Sequence, residues 1–145
     1  ASYQKFMFKI LGLVADTVGE EGHHSIVLNS EIGTFNLADV GFGYSQILPI
    51  ITKLWYITED HQNVHHIDDF GFFFMESPIG INTLMEQPEL HLHPAYQAKI
   101  ADAFISTIDK MKARGKEGNL IVETHSETII NRLGRRIREG LLIEQ

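Results

Sequence analysis

The sequence has no cysteine among its 145 residues, and its basic side chains are outnumbered by acidic ones. Without cysteine the chain forms no disulfide, thiolate zinc site or cysteine nucleophile, which fits a reducing cytoplasm. With 12 Lys and Arg against 19 Asp and Glu, the net charge is -7. The chain therefore lacks the clustered cations of a general nucleic-acid-binding protein, and any DNA contact would be local. No apolar run approaches the roughly 20 residues that span a bilayer, so no membrane partner is expected.

The second half of the chain alternates between two hydrophobic periodicities. Short apolar runs predict strands, and apolar residues repeating every three or four positions predict amphipathic helices. The resulting order of strand, helix, strand, helix, strand is typical of a parallel sheet with crossover helices. The predicted segments are Ile81–Glu86, Pro94–Gly115, Asn119–Thr124, Ser126–Gly140 and a last strand beginning at Leu141.

The first half is predicted to begin with a hairpin of His23–Ser30 and Gly33–Val40. A helix follows, for which Ser45 is the expected N-cap. The segment Thr58–Ile81 is interpreted as an insertion or a long loop with a short strand at Phe72–Met75. No function is assigned to its aromatic stretch from Phe70 to Phe74.

Polar clusters follow two predicted strands of the second half. Glu86, Gln87 and Glu89 come after one strand and His125 comes after the next. Ligands of parallel α/β folds bind at the carboxyl ends of the strands. An acidic residue at such a position can hold Mg²⁺ and so fix a phosphate. The alternative is a solvated strand end with ordinary polar residues.

Two histidines of the stretch "PELHLHP", His91 and His93, are open to two interpretations. In a strand they would share one face and, with Glu89, could bind a transition metal. In a tight turn, His93 would instead cap the helix that begins at Pro94. His125 could likewise contact a phosphate oxygen or serve as a polar residue at a helix start.

The stretch "VGFGYSQ" combines flexible glycines, a hydroxyl and a helix N-terminus, which suits anion binding. Glycine-rich loops are common, so this signal is weak by itself. Four arginines lie near the end of the last predicted helix, where they favour the helix dipole. A local contact with DNA or a partner is the alternative for Arg132, Arg135, Arg136 and Arg138.

Three stretches in this order, "LADVGFGYSQILPI", "TLMEQPELHLHP" and "LIVETHSETIINRL", resemble the ABC-type ATPases of the RecF, SMC and OLD kind. They are most similar to a bacterial subgroup of AAA/ABC ATPases with GxGxSQxLP and EQPELHLHP motifs. The resemblance spans Asn36 to Glu144, apart from Thr58–Ile81. It implies an α/β P-loop NTPase fold, here the C-terminal lobe, with a mainly parallel sheet, flanking helices and an antiparallel hairpin.

The resemblance also implies roles for individual residues. "TLMEQ" corresponds to Walker B, so that Glu86 would support Mg²⁺, and "PELHLHP" takes the place of the D-loop. His125 corresponds to the switch histidine that senses the γ-phosphate. The signature residues would face ATP bound by a second ATPase head, which is either a second copy or a complementary half; they are Gly41, Gly43, Ser45 and Gln46.

Two departures from the family pattern concern catalysis. Gln87 stands where the catalytic glutamate is usual, and an amide cannot act as a carboxylate base. There are three alternatives: Glu89 substitutes as the base, Gln87 positions the attacking water, or hydrolysis is slow. The chain also contains no G-x-x-x-x-G-K-[ST] segment to cradle the phosphates. Residues 1–145 are therefore interpreted as a partial ATPase domain that is inactive alone.

The resemblance predicts that two heads bind and hydrolyse ATP at their interface. By analogy, closure of the heads would gate a DNA-directed or phage-defence activity of a nuclease or another effector. One alternative is a non-catalytic interaction module. A metal-dependent hydrolase is the other, with ligands from His91, His93, His125 and Glu89.

Overall fold

The computed structural model describes residues 2–20, 22–59, 73–77 and 80–140. The helices and strands in these ranges form two small sheets flanked by helices. In chain order they are α1 (Ser2–Leu11), β1 (Leu13–Glu20), β2 (His23–Ser30), β3 (Gly33–Asn36), α2 (Phe42–Tyr56), β4 (Phe73–Ser77), β5 (Gly80–Glu86), α3 (Pro94–Ala113), β6 (Gly118–Glu123) and α4 (Glu127–Arg138).

The first sheet is antiparallel, in the order β1-β2-β3. The predicted hairpin is confirmed as β2 and β3, and β1 extends it along the other edge of β2. Near the start of β1 and the end of β2, one face of this sheet packs on the core, as expected for an antiparallel sheet. Leu13 and Leu28 are buried on one face, while Asp16 on the other accepts hydrogen bonds from Gln4 and Asn29.

The second sheet has the order β4-β5-β6. β4 and β5 pair antiparallel, whereas β5 and β6 pair parallel through the crossover helix α3. Thr83 and Met85 of β5 are buried on the inner face at 1% exposure each. Glu86 and its register partner Glu123 lie on the opposite, outer face, where both strands end. The parallel pairing predicted from the sequence is therefore present, and the two predicted polar clusters follow its strands.

The core lies between the helices and the inner faces of the two sheets. α1 contributes through a stripe of apolar residues that the sequence analysis left unassigned, and Phe6 and Met7 in it are almost completely buried. The largest fully buried apolar side chains of the described residues are Phe6, Met7, Leu28, Ile47, Ile51, Leu54, Met85, Ile100 and Ile129.

The start of α2 differs from the prediction. The helix begins at Phe42 with Gly41 as its N-cap, so the assignment of Ser45 as the N-cap is wrong. Pro49 consequently lies in the interior of the helix rather than near its first turn. Since proline has no N–H, the carbonyl of Ser45 receives no i,i+4 hydrogen bond from it.

The segment interpreted as an insertion is only partly described. Thr58 and Glu59 follow the C-terminal end of α2, and the short strand expected at Phe72–Met75 corresponds to β4. Residues 60–72 and 78–79 lie outside the described residues, as does the predicted last strand at residues 141–145.

Candidate functional site

The turn after β5 begins with an uncommon backbone conformation. Glu86 ends the strand with an exposed side chain, and Gln87 then adopts a φ of 43°. Few residues other than glycine occupy this left-handed region. The N–H of Gln87 donates to the carbonyl of Glu123 at 2.8 Å, which ties the turn to the end of β6.

Two tight turns follow in succession. The N–H of Leu90 donates to the carbonyl of Gln87, and the N–H of Leu92 donates to that of Glu89, both at 3.0 Å. His91, in the second turn, is also left-handed with a φ of 62°. Its exposed ring meets Phe42 edge-on, with 6.2 Å between ring centroids. The turn after β5 therefore contacts the glycine-rich stretch at the start of α2.

His93 is the N-cap of α3. Its backbone is extended, and its Nδ1 accepts a hydrogen bond from the N–H of Ala95 at 3.2 Å. Pro94 occupies the first helical position, where the missing N–H costs least. The interpretation of His93 as a helix cap is thus confirmed.

The loop after β6 is held by the turn after β5. The backbone N–H of His125 donates to Oε1 of Glu89 at 2.7 Å, across 36 residues of sequence. His125 itself is an exposed residue. This contact brings the two clusters predicted at strand ends together, with a backbone hydrogen bond joining them.

Ser126 forms a second connection between the same two loops. Its hydroxyl accepts from the N–H of Ile129 at 3.1 Å, which makes Ser126 the N-cap of α4, at the predicted start of this helix. The same hydroxyl donates to Oε1 of Gln97 on α3 at 2.6 Å. Gln97 in turn donates through Nε2 to the carbonyl of Leu92 at 2.8 Å. Sequence reasoning missed Gln97 because its partners depend on the tertiary fold.

One oxygen of the Glu89 carboxylate is withdrawn from solvent. Its Oε2 atom is buried and has no hydrogen-bond partner among the described residues. Burial raises the pKa of this carboxyl, but hydrogen bonding, including that from the His125 N–H, outweighs burial and leaves the pKa below its ordinary value. Glu89 is therefore an ionised acceptor that already has a backbone partner.

Glu86 has the surroundings expected of a Mg²⁺ ligand. Its exposed carboxylate lies at the carboxyl end of a parallel strand, beside the exposed Glu123 of the neighbouring strand. Mg²⁺ is usually held by one or two carboxylates together with waters and phosphate oxygens. The residues present fit such an ion, which Glu86 could hold directly or through water.

The four predicted signature residues lie on or just before the first turns of α2. Gly41 is the exposed N-cap, and no side chain caps the first N–H groups of the helix. A Cβ on Gly43 would lie 3.5 Å from the ring of Tyr96, in ordinary contact. Ser45 and Gln46 follow in the helix and are half-buried.

An aromatic pair holds α2 against α3 next to the signature residues. The rings of Tyr44 and Tyr96 meet edge-on at 5.2 Å. Burial, followed by the neighbouring Tyr44 phenol, raises the pKa of Tyr96 to about 12. Tyr96 is therefore neutral at physiological pH and serves here as a packing residue.

The metal-hydrolase alternative does not match this geometry. Among residues 2–20, 22–59, 73–77 and 80–140, no three His, Asp or Glu side chains are grouped as a metal-binding set. His91 lies against Phe42 and the Nδ1 of His93 caps a helix, while Glu89 accepts from a backbone N–H. The four proposed ligands therefore do not converge on one point.

Three of the four arginines of α4 form ion pairs with carboxylates of the protein itself. Arg132 donates through Nε and Nη2 to Asp102 of α3, and Arg136 donates through Nε to the same carboxylate. Arg135 and Arg136 also pair with Glu139. The pairs with Asp102 favour a structural role for Arg132 and Arg136 in holding α4 on α3. In the described part of the chain, no helix has both the length and the hydropathy needed to cross a bilayer.

The fold is that of SMC ATPase heads. One similar structure is an SMC head bound to the C-terminal winged-helix domain of ScpA, with a TM-score of 0.55 at 12% sequence identity. That match covers 90% of this chain but 35% of the other, so this chain spans about a third of it. A second comes from work on ATP-driven dimerisation and DNA-stimulated activation of SMC ATPases. It has a TM-score of 0.58 at 15% identity and covers 99% of this chain and 91% of the other.

The sequence identifies the family. Residues 4–130 match the AAA ATPase domain family, and the chain belongs to it. No curated protein sequence matches the chain. The predicted resemblance to ABC- and SMC-type ATPases and the P-loop NTPase fold are therefore confirmed. The roles of individual residues stay predictions.

Proposed function

We propose that this chain supplies the Walker B, signature and switch-histidine parts of an ATPase head that hydrolyses ATP with Mg²⁺ between two engaged heads. One observation carries the proposal: Glu86, Gln87 and His125 lie together at the ends of adjacent parallel strands. Hydrogen bonds from Gln87 to Glu123 and from His125 to Glu89 link the two loops. Parallel α/β folds bind their ligands at this edge of the sheet.

Each residue has a distinct role in this proposal. Glu86 holds Mg²⁺, which when bound neutralises charge on the β- and γ-phosphates. Gln87 orients the attacking water through its amide, since it cannot accept the proton as a carboxylate would. His125 donates to a γ-phosphate oxygen from its exposed imidazole. In the complete head, this set should hold nucleotide and hydrolyse it slowly.

The signature residues act on the nucleotide of the opposite head. Gly41 and Gly43 let phosphate oxygens approach the uncapped N–H groups at the start of α2. Ser45 and Gln46 add a hydroxyl and an amide one turn further along. The contact between Phe42 and His91 would then join the signature surface to the turn after β5.

The outer face of the second sheet carries exposed apolar side chains, which suggests that another segment covers it. Parallel strand pairs such as β5 and β6 are usually covered on both faces by the helices of α/β folds. Here Leu84 and Ile121, partners across β5 and β6, are 37% and 57% exposed on the outer face. The 145 residues contain no G-x-x-x-x-G-K-[ST] segment. We infer that a Walker A-bearing segment from outside these residues packs here and completes the head.

The partners and location follow by analogy alone. The similar SMC head binds ScpA, and the other similar structure comes from SMC ATPases with DNA-stimulated activation. An effector protein such as a nuclease, a DNA-directed or phage-defence role, and a cytoplasmic location belong to this proposal. A cysteine-free sequence is consistent with that compartment.

The test is calorimetric titration of ATP with Mg²⁺ into this chain alone and into its complex with the Walker A-bearing segment. We expect ATP to bind only to the complex. Glu86→Ala should lower the affinity, whereas the exposed control Glu117→Ala should leave the affinity unchanged. Ile121→Asp should prevent the complex from forming, because it places a charge on the covered face. A stable complex that binds no nucleotide would refute the ATPase proposal.

The second candidate is a non-catalytic interaction module built on the same fold. The presence of Gln87 in place of a carboxylate base favours it. In that case the two heads associate equally well with and without ATP. Sedimentation of the complex with ATP and without ATP separates the two candidates, since an ATPase head should dimerise only with ATP.

A further inference from the structure

We propose that Glu89 is a positioning residue that holds the switch histidine by its backbone, and that it is not the proton acceptor for hydrolysis. The inference rests on the proposed function, and it replaces the role of base that the family pattern left open for Glu89. A base must reach the attacking water with a free oxygen. A positioning residue must instead bind the loop that carries the reacting group.

The geometry of the carboxylate fits the second role. Oε1 of Glu89 accepts from the backbone N–H of His125 at 2.7 Å, a short distance typical of a charge-assisted hydrogen bond. Oε2 is buried and has no partner among the described residues. Oε1 is thus engaged by the His125 backbone and Oε2 is buried, so the carboxylate faces the loop after β6 and not a reacting water.

The loop that carries His125 is braced from a second direction. Ser126, the next residue, donates to Gln97, and Gln97 donates to the carbonyl of Leu92. Glu89 and Leu92 belong to the same turn, because the N–H of Leu92 donates to the carbonyl of Glu89. Two independent connections thus run from this single turn to consecutive residues of the loop after β6.

This arrangement joins the turn after β5 and the loop after β6 into one unit. The turn exposes Leu90, at 54%, and the ring of His91 on its outer side. A second head that pressed on Leu90 or His91 would displace Glu89 and, through it, the backbone of His125. Engagement of the heads would in this way be transmitted to the group that contacts the γ-phosphate.

The test compares Glu89→Gln with Glu89→Ala and uses the exposed Glu117→Ala as a matched control. Glutamine keeps an acceptor oxygen for the His125 N–H but has no basic carboxylate, whereas alanine loses both. A positioning role predicts that glutamine rescues, and a role as base predicts that it does not.

The first readout needs no nucleotide. Hydrogen exchange at the His125 amide should be slow in the wild type and in Glu89→Gln, and at least roughly tenfold faster in Glu89→Ala, the factor expected for one charged hydrogen bond. Unchanged exchange in Glu89→Ala would overturn the proposal. Because this measurement uses the protein without ATP, it holds even if the complete head proves to be no ATPase.

The second readout is steady-state hydrolysis by the complete head. Glu89→Ala should lower kcat by about 10- to 100-fold with the KM for ATP nearly unchanged, since a small misplacement of a catalytic group has this effect. Glu89→Gln should retain most of the activity. If glutamine loses as much kcat as alanine while its His125 amide stays protected, Glu89 is the base and the inference is wrong. Absence of hydrolysis in the wild type would instead refute the proposed function.

Discussion

Replacing Asp102 by alanine should release α4 from α3 and destabilise the fold. One carboxylate accepts three hydrogen bonds from two guanidinium groups, at 3.0 and 2.7 Å from Arg132 and 3.0 Å from Arg136. α4 has few other anchors, because Ile129 is its one buried residue among those described. The loss of this cluster should therefore also loosen the loop before α4, which carries His125.

The magnitude follows from the exposure of the three side chains. A hydrogen bond to a charged group contributes about 1.5–3 kcal/mol when it is well shielded. Here the side chains of Asp102, Arg132 and Arg136 are 27–29% exposed, so that water compensates for part of the loss. We expect Asp102→Ala to lower the free energy of unfolding by about 2 kcal/mol, and Asp102→Asn by about 1 kcal/mol.

The stability difference between the wild type and the Asp102 variants should depend on pH in a defined direction. Burial raises the pKa of Asp102, but the hydrogen bonds from Arg132 and Arg136 outweigh burial and leave the pKa below its ordinary value. A depressed carboxyl pKa stabilises the fold above the unfolded-state value, which is about 3.9. That contribution is lost as the pH falls through the folded-state pKa. The difference between wild type and Asp102→Asn should therefore be full at pH 7 and shrink below about pH 4.

Urea unfolding followed by circular dichroism measures these changes as shifts in midpoint at constant slope. The control is Arg135→Ala, which removes an exposed pair with Glu139 and should leave the midpoint unchanged. A double-mutant cycle of Asp102→Ala with Arg132→Ala should give a coupling energy of at least about 1 kcal/mol. Additive effects, or an unchanged midpoint in Asp102→Ala, would refute the reasoning.

Two further predictions concern the site and the core. Gln87→Glu introduces the missing carboxylate base and should raise kcat of the complete head by about 100-fold, measured as phosphate release; an unchanged rate would mean that Gln87 does not face the water. Ile51→Ala, at a position that is 0% exposed, should lower the free energy of unfolding by about 3 kcal/mol. Ile130→Ala, 56% exposed, should change it by less than about 0.5 kcal/mol, and equal effects in both would contradict the assigned core.

The sequence predicted the elements whose signals are local. The apolar repeat of α3, with Pro94 at its start, and the hydroxyl of Ser126 before α4 depend on neighbours within a few residues, and both helices were predicted correctly. The start of α2 was missed because Gly41 caps it without a side chain, which left Ser45 as the more conspicuous candidate.

The geometry of the site was less accessible from the sequence. Clustering of Glu86 and His125 followed from the rule that parallel strands end at one edge. The left-handed backbone of Gln87 has no residue signal, because glutamine is not a typical residue for that conformation. The bond from His125 to Glu89 joins positions 36 residues apart, and only the register of β5 and β6 brings them together.

The packing of α1 has a consequence for synthesis of the chain. Lys9 of α1 donates to Ser106, 97 residues later, and Lys99 donates to the carbonyl of Leu11, 88 residues earlier. At translation rates of about 5–20 residues per second, α1 leaves the ribosome on the order of 5–20 s before α3. During that time Phe6 and Met7, almost completely buried in the folded protein, have no α3 to cover them. The nascent chain thus carries an apolar helix that a chaperone can bind before the core closes.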